Sequence, residues 1–509
     1  MNAKLSLCTI RTAAVLAALL CSAAASYCQT YAGATAANFW YLGSNAAGIR
    51  CDTSVSASDA SLYAGIETGK FKSSSQATFC WRAGASARTL MHLEKFSMKG
   101  AFSFEQFQGE GMAGSMFITP ASYPVDLIEF TPGTKTKQTY SFDGGISVDL
   151  TPNLRLGGEL DFTSANYSKR KDLRHTNYRL DLTFSPGIVW HSGDLALGVN
   201  YIFHRETETV TAEQVGTGES SYYAFLDKGL LYGAYEVWTG GGLHLSEAGV
   251  SGFPVVENSH GIGLQAGWKD FFAEARLSRS NGRAGEKQQV WFRFPGTSAR
   301  LVAGYRIKGE NASQTIKAEL TWRRRTNFET VLEKVTSGGV STVEEHGSNQ
   351  VYDRSDWRLT PSWALSARKF SLDASLVLAS AYETSTAMYP YLNSQKYYTL
   401  LARVGGSIKA GRFTPALALS YGNGFWTTSE AVADTGSGAT SEPYKLETYW
   451  LGQMDYITAC QLRLEPSLRF SIGHGMYVGA DALIVKAFNL QLIKGEWRTR
   501  AFLRFGYNF

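Results

Sequence analysis

Charged residues of both signs recur at even spacings within several apolar stretches of this chain: Arg155, Glu159 and Asp161; Lys317 and Glu319; Arg463 and Glu465; Arg498, Arg500 and Arg504. A period of two places each set on one face of an extended strand, with apolar residues on the other. Facing a water-filled space, ladders of arginine and carboxylate set a field across it and sort ions. Packed against one another, the same residues only neutralise. Positive residues gather toward the C-terminus, where Arg463 and Arg469 join Arg498, Arg500 and Arg504. An open space behind them would favour anions.

Other chemistries find less support. A hydrolase needs His beside Ser, with a third group to orient the His. The eight histidines (His92, His175, His191, His204, His244, His260, His346 and His474) are scattered, and none forms an evident dyad with a serine along a strand. No His, Cys, Asp or Glu cluster has metal-ligand spacing. The residues predict no enzyme, no metal and no cofactor. Loss of Lys4 and Arg11 with a leader would take the net charge from +5 to +3, too little to argue for a nucleic-acid partner.

The elements that must position these charges are strands. Tyr140 to Leu150 and Leu154 to Phe162 alternate on either side of Thr151-Pro152-Asn153. The rhythm returns at Tyr178–Phe184, Leu195–Phe203, Phe271–Leu277, Leu301–Ile307, Ile316–Trp322, Phe370–Leu378, Tyr398–Ile408, Phe413–Tyr421, Leu462–Ile472 and Val478–Ile484. Lys4 and Arg11, the apolar run Thr12–Leu20 and the small residues Ser22–Ala25 read as a secretory leader. Cys21 and Cys28 follow Leu20 and Tyr27 rather than small residues, which argues against a lipid anchor. No later stretch reaches the roughly 18 apolar residues of a membrane helix. An exported chain rich in Gly, Tyr, Phe and Trp that crosses a membrane without such helices must close its strands into a barrel.

The predicted architecture is all-β: a transmembrane antiparallel barrel of about 18 strands, with 16 to 20 as the range. Residues 1–25 form the signal peptide, 26–56 a periplasmic or luminal segment, and 57–509 the barrel. Short turns near 151–153, 191–194, 268–270, 309–312, 367–369, 410–412 and 473–475 alternate with long polar connections near 108–136, 206–258, 327–352, 383–395 and 422–445. An even strand count makes Gln288–Lys308 one strand despite Pro295-Gly296. It also makes Leu446–Ile472 one strand with an irregularity at Pro466, and Tyr222–Trp238 a hairpin inside an external excursion. A Cys51–Cys80 disulfide is chemically open.

The last residues, Trp497 to Phe509, put Trp497, Leu503, Phe505, Tyr507 and Phe509 on one face and the arginines on the other, with Phe502 the exception. This ending resembles the C-terminal signal of bacterial outer-membrane barrels. With the aromatic stretch Asn38-Phe-Trp-Tyr-Leu-Gly43, the whole resembles large outer-membrane barrels of Bacteroidota that have no assigned activity. The resemblance implies the outer membrane of a Gram-negative bacterium, lipid contact, and assembly machinery that reads Phe505, Tyr507 and Phe509. Barrels of the fatty-acid channel family also carry a short N-terminal hatch, but their Asn-Pro-Ala signature is absent here. Thirty residues are too few for the globular plug of a TonB-dependent receptor. Two functions remain: a passive channel for small solutes, and a structural or partner-binding barrel in an envelope complex.

Overall fold

A computed structural model describes residues 38–51, 56–213, 215, 224–229, 235–238, 250–286, 289–386, 392–430 and 446–509. The leader, Cys28 and the Gly/Ser-rich stretch 435–441 lie outside the described residues. The strands are β1 (Ala57–Gly69), β2 (Phe79–His92), β3 (Phe96–Ser115), β4 (Asp126–Thr151), β5 (Leu154–Lys169), β6 (Arg174–Ser192) and β7 (Leu195–Glu213). Two short strands follow, β8 (Ala224–Asp227) and β9 (Tyr235–Trp238). Then come β10 (Val250–Trp268), β11 (Phe271–Gly285), β12 (Val290–Lys308), β13 (Ala312–Ser337), β14 (Val340–Ala367), β15 (Phe370–Ser385), β16 (Asn393–Ile408) and β17 (Phe413–Glu430). A helix α1 (Leu446–Thr458) precedes β18 (Cys460–Gly473), β19 (Met476–Phe488) and β20 (Trp497–Asn508).

Each long strand pairs antiparallel with its sequence neighbours, β7 pairs with β10, and β20 returns to β1. The result is a closed 18-strand barrel, as the alternation predicts. The β8–β9 hairpin lies outside the closed ring and pairs with the start of β4, Asp126–Glu129. Within Gln288–Lys308 the described strand β12, Val290–Lys308, is a single strand, and its register with β11 and β13 runs through Pro295-Gly296.

The outward face carries the apolar band. Trp190, Trp268, Phe370, Phe413 and Tyr507 are exposed near the end with short turns, and Tyr140, Tyr201, Trp322, Tyr382 and Tyr421 toward the other. Two aromatic belts flanking Leu, Ile and Val are the outer surface of a barrel that meets lipid. The seam closes with backbone bonds in both directions between Ser58 and Phe509, 3.1 and 3.0 Å.

Three expectations need correction. First, much of the sequence assigned to long loops is strand: 327–352 is a protruding hairpin turning at Gly338-Gly339, both at positive φ. Its Thr- and Val-rich polar sequence has high strand propensity without an apolar face, so periodicity could not reveal it. Second, Leu446–Thr458 is helix rather than strand. Trp450, Met454 and Thr458 are buried at a spacing of four, which is the helical period. Third, the Cys51–Cys80 disulfide that the sequence leaves open is not formed. Cys51 lies beside Arg155 near the short-turn end, whereas Cys80 sits at the opposite end of the barrel, at the start of β2.

Candidate functional site

The lumen is partly filled from both ends. From the short-turn end, residues 38–51 enter as two 3-10 turns, Phe39–Leu42 and Ala46–Cys51. Asn38 caps the first by accepting from the Trp40 N–H at 2.9 Å. Phe39 and Trp40 are buried against Phe272, with ring centroids 6.4 and 5.3 Å away. Asn45, only 1% exposed, donates to Ile188 O and Gln265 Oε1, each at 3.0 Å. Ser44 O accepts from Ser185 and Asn200, both 2.8 Å, and the Ser44 N–H donates to Glu274 at 2.8 Å. Arg50 pairs with Asp149 at 2.6 Å. A Cβ on Gly157 would lie 2.2 Å from Ala47 N, so only glycine lets the segment sit this close to β5. The segment is therefore a luminal lining, fixed to the inner face from β2 round to β12.

From the other end, residues 116–125 and the β8 strand fold inward over a core of Phe117, Leu127, Leu226, Phe253, Phe292 and Phe294. Helix α1 completes this cap, with Trp450 and Met454 packed on Ile128 and Phe225. Asp455 holds α1 in place by accepting the N–H groups of Gln491, Leu492 and Ile493 at 2.9–3.2 Å.

The wall from β13 to β20 is different. No part of the 38–51 lining reaches it among the described residues, and Arg358, Arg463, Arg469, Arg500 and Arg504 are exposed or half-buried there, beside buried neighbours such as Ser420, Gln461, Tyr477 and Arg498. Arg358, Arg463, Arg469, Arg500 and Arg504 have no carboxylate at ion-pairing distance among the described residues, and neither has Lys317. Arg469 lies 3.6 Å over the Tyr477 ring, Arg504 5.9 Å over Tyr63, and Arg463 donates to Gln461 at 3.1 Å. Register places Arg469 and Arg504 on one rung, flanking Gly479.

The remaining sequence candidates, apart from Asp161, have an oppositely charged partner. Arg155 pairs with Asp149 at 3.1 Å, and Glu319 with Arg300 at 2.9 Å. Arg498 pairs with Glu67 at 2.5 Å, and Glu465 with Arg403 at 3.8 Å. Glu159 and Asp161 join Asp143 in a carboxylate cluster, where Lys99 reaches Glu159 at 2.5 Å and Asp143 at 3.4 Å. A second cluster, Asp181, His204 and Glu206, holds the Arg179 guanidinium at 3.1 Å from Asp181 and 2.8 Å from Glu206. In each cluster a side-chain cation pairs with two of the carboxylates. Phe502, the exception on the last strand, faces the lumen edge-on to Tyr63 at 6.0 Å.

Sequence reading missed one His–Ser contact. His92 Nδ1 lies 2.8 Å from Ser97 Oγ across the turn between β2 and β3. Ser97 is fully buried and also accepts from Arg50 at 3.3 Å, so no substrate reaches it. It is a structural contact.

Fold and lumen together define a large outer-membrane-type β-barrel with a basic, water-facing wall. The chain belongs to a family described as a family of unknown function, DUF6850, whose profile matches residues 46–509. No curated protein matches it in sequence. Among solved structures it is similar to the outer membrane transporter YddB from Escherichia coli, at 7% identity and TM-score 0.42, over 89% of this chain and 80% of that one. It is similar to the ferric-catecholate import receptor Fiu from E. coli K12, at 7% identity and TM-score 0.41, over 90% and 82%. The toluene transporter TodX from P. putida gives 10% identity and TM-score 0.30, over 92% and 93%.

Proposed function

We propose that this protein is a gated channel for small solutes, with a preference for anions, in the outer membrane of a Gram-negative bacterium. The observation that carries the reading is the row of arginines on β14, β18 and β20 without carboxylate partners. A guanidinium cannot shed its proton, so each keeps its charge and needs either water or a passing anion. The 38–51 lining narrows the passage to the β13–β20 side, which brings solutes within reach of those charges. The Debye length is about 8 Å at physiological salt, so the field acts across a narrow passage and fades across a wide one. Helix α1 stands over the external end of this path and is the gate.

Reversal potentials of the purified barrel in planar bilayers under a KCl gradient test the reading. Wild type should favour chloride, increasingly so as salt is lowered. Replacing Arg463, Arg500 and Arg504 with Gln should shift the chloride-to-potassium permeability ratio several-fold toward potassium. An unchanged ratio removes the anion preference. A barrel that stays silent and co-purifies with one envelope protein supports the partner-binding function instead.

A further inference from the structure

Beneath α1 and residues 116–125 lies a cavity of about 200 Å³, lined among others by Asp126, Asp227, Arg323, Arg354, Gln395 and Tyr397. We infer that this chamber is a binding site for a small, uncharged, hydroxyl-rich molecule of monosaccharide size. The site does not depend on the anion path below it.

Charge balance is the first argument. Arg354 is held by Glu383 at 2.6 Å and Asp356 at 3.1 Å, and Arg323 shares Asp356 at 3.6 Å. Arg325 faces Glu257 at 3.6 Å. Three guanidinium groups thus meet three carboxylates. Asp126 and Asp227 have no ion-pair partner among the described residues. Both lie above the apolar band, where burial pushes their carboxyls up, Asp126 to about 7 despite the nearby Lys135 ammonium and Asp227 well above the usual range. A charged ligand would add a charge that the balanced arginines and carboxylates do not compensate, which is costly where burial disfavours charge.

Hydrogen-bond supply is the second. Gln395 is 4% exposed; its Nε2 donates to Glu383, and its Oε1 has no partner. An amide oxygen buried in this way calls for a donor. Protonated Asp126 and Asp227 each offer an O–H, since their existing contacts with Ser115 Oγ (2.7 Å) and Gly229 N (3.0 Å) use them as acceptors. Hydroxyl groups both donate and accept, so one molecule with several of them answers all these groups. At about 30 Å³ per water, the cavity has room for roughly seven waters, close to one monosaccharide. Tyr397 and Trp450 on its wall supply flat apolar faces for C–H groups.

Saturation-transfer NMR on the full-length barrel in detergent, with D-glucose, D-galactose and D-mannitol as probes, tests this site. Acetate and propylammonium serve as charged controls of smaller size. Transfer to at least one polyol and to neither control is expected, with affinity lowered about tenfold in Gln395→Ala and in Asp227→Leu. Heat-modifiable gel migration verifies that each variant is folded. Transfer to none of the polyols, transfer to a charged control alone, or undiminished polyol binding in both folded variants would overturn the assignment.

Discussion

The luminal wall from β2 to β12 and the wall from β13 to β20 share one two-residue period, yet the first is dry and the second is wet. On the dry side, Asn45, Ser185, Asn200, Gln265 and Glu274 satisfy one another and the 38–51 backbone. On the wet side, Arg358, Arg463, Arg469, Arg500 and Arg504 have no carboxylate partner among the described residues. Polar residues therefore do different work in the two places. In the dry wall a polar group is part of the packing, and losing its partner costs stability. In the second wall an arginine without a carboxylate leaves no buried ion pair broken when it is lost, so its loss should change the field more than the stability.

The largest effect should follow from preventing the ring from closing, since an open barrel has neither wall. Deleting Phe509 removes both backbone bonds to Ser58 and the aromatic end of the predicted assembly signal Phe505, Tyr507 and Phe509. The level of heat-modifiable barrel in outer-membrane fractions should fall severely. An unchanged level would confine Phe509 to anchoring the seam.

Stripping the dry wall comes next. Removing residues 38–51 exposes the Asn45-binding groups and widens the passage, so single-channel conductance should rise several-fold and anion preference should weaken. Gly157→Leu should move conductance the same way by displacing Ala47.

Equivalent charge removals on the two walls sharpen the contrast. Lys99→Gln leaves the Asp143–Glu159–Asp161 cluster without its ammonium and should cost about 3 kcal/mol or more, read as a lower unfolding temperature. Arg504→Gln should change melting little and shift the reversal potential. If both substitutions affect only stability, the wet wall is not a conduction path.

The gate gives smaller effects. Asp455→Ala removes the acceptor of three N–H groups and should weaken α1 docking by about 2 kcal/mol, raising open probability and cleavage of the 446–458 helix by external protease. Asp126 supplies a pH dependence. Its folded carboxyl titrates near 7 against 3.8 for the ordinary group, so the cap's stability is fullest below about pH 4 and is lost as pH rises through about 7. Protease cleavage of the cap should therefore increase from pH 5 to pH 8, and Asp126→Asn should flatten that dependence.

Where the chain alternates between an apolar and a polar face, its fate was legible. The short turns, the strand number and the single strand through Pro295-Gly296 all follow from a period of two against lipid. Amphipathic alternation failed where both faces are polar, as in the 327–352 hairpin. It was misapplied at Leu446–Thr458, where a run of Tyr, Trp, Leu and Ile reads as strand unless Trp450, Met454 and Thr458 are counted in fours.

By itself, then, the sequence determined the barrel and its alternation of faces, because lipid imposes one rule on every strand. Only the tertiary structure decided which charges are spent. Arg498 meets Glu67 across 431 positions of sequence, while Arg500, two residues on, meets no carboxylate among the described residues. The chamber beneath α1 likewise joins Asp126, Asp227, Arg354 and Gln395 from four separate elements. Spacing along a strand fixes the face a side chain presents, but the partner across the lumen depends on how distant segments fold inward.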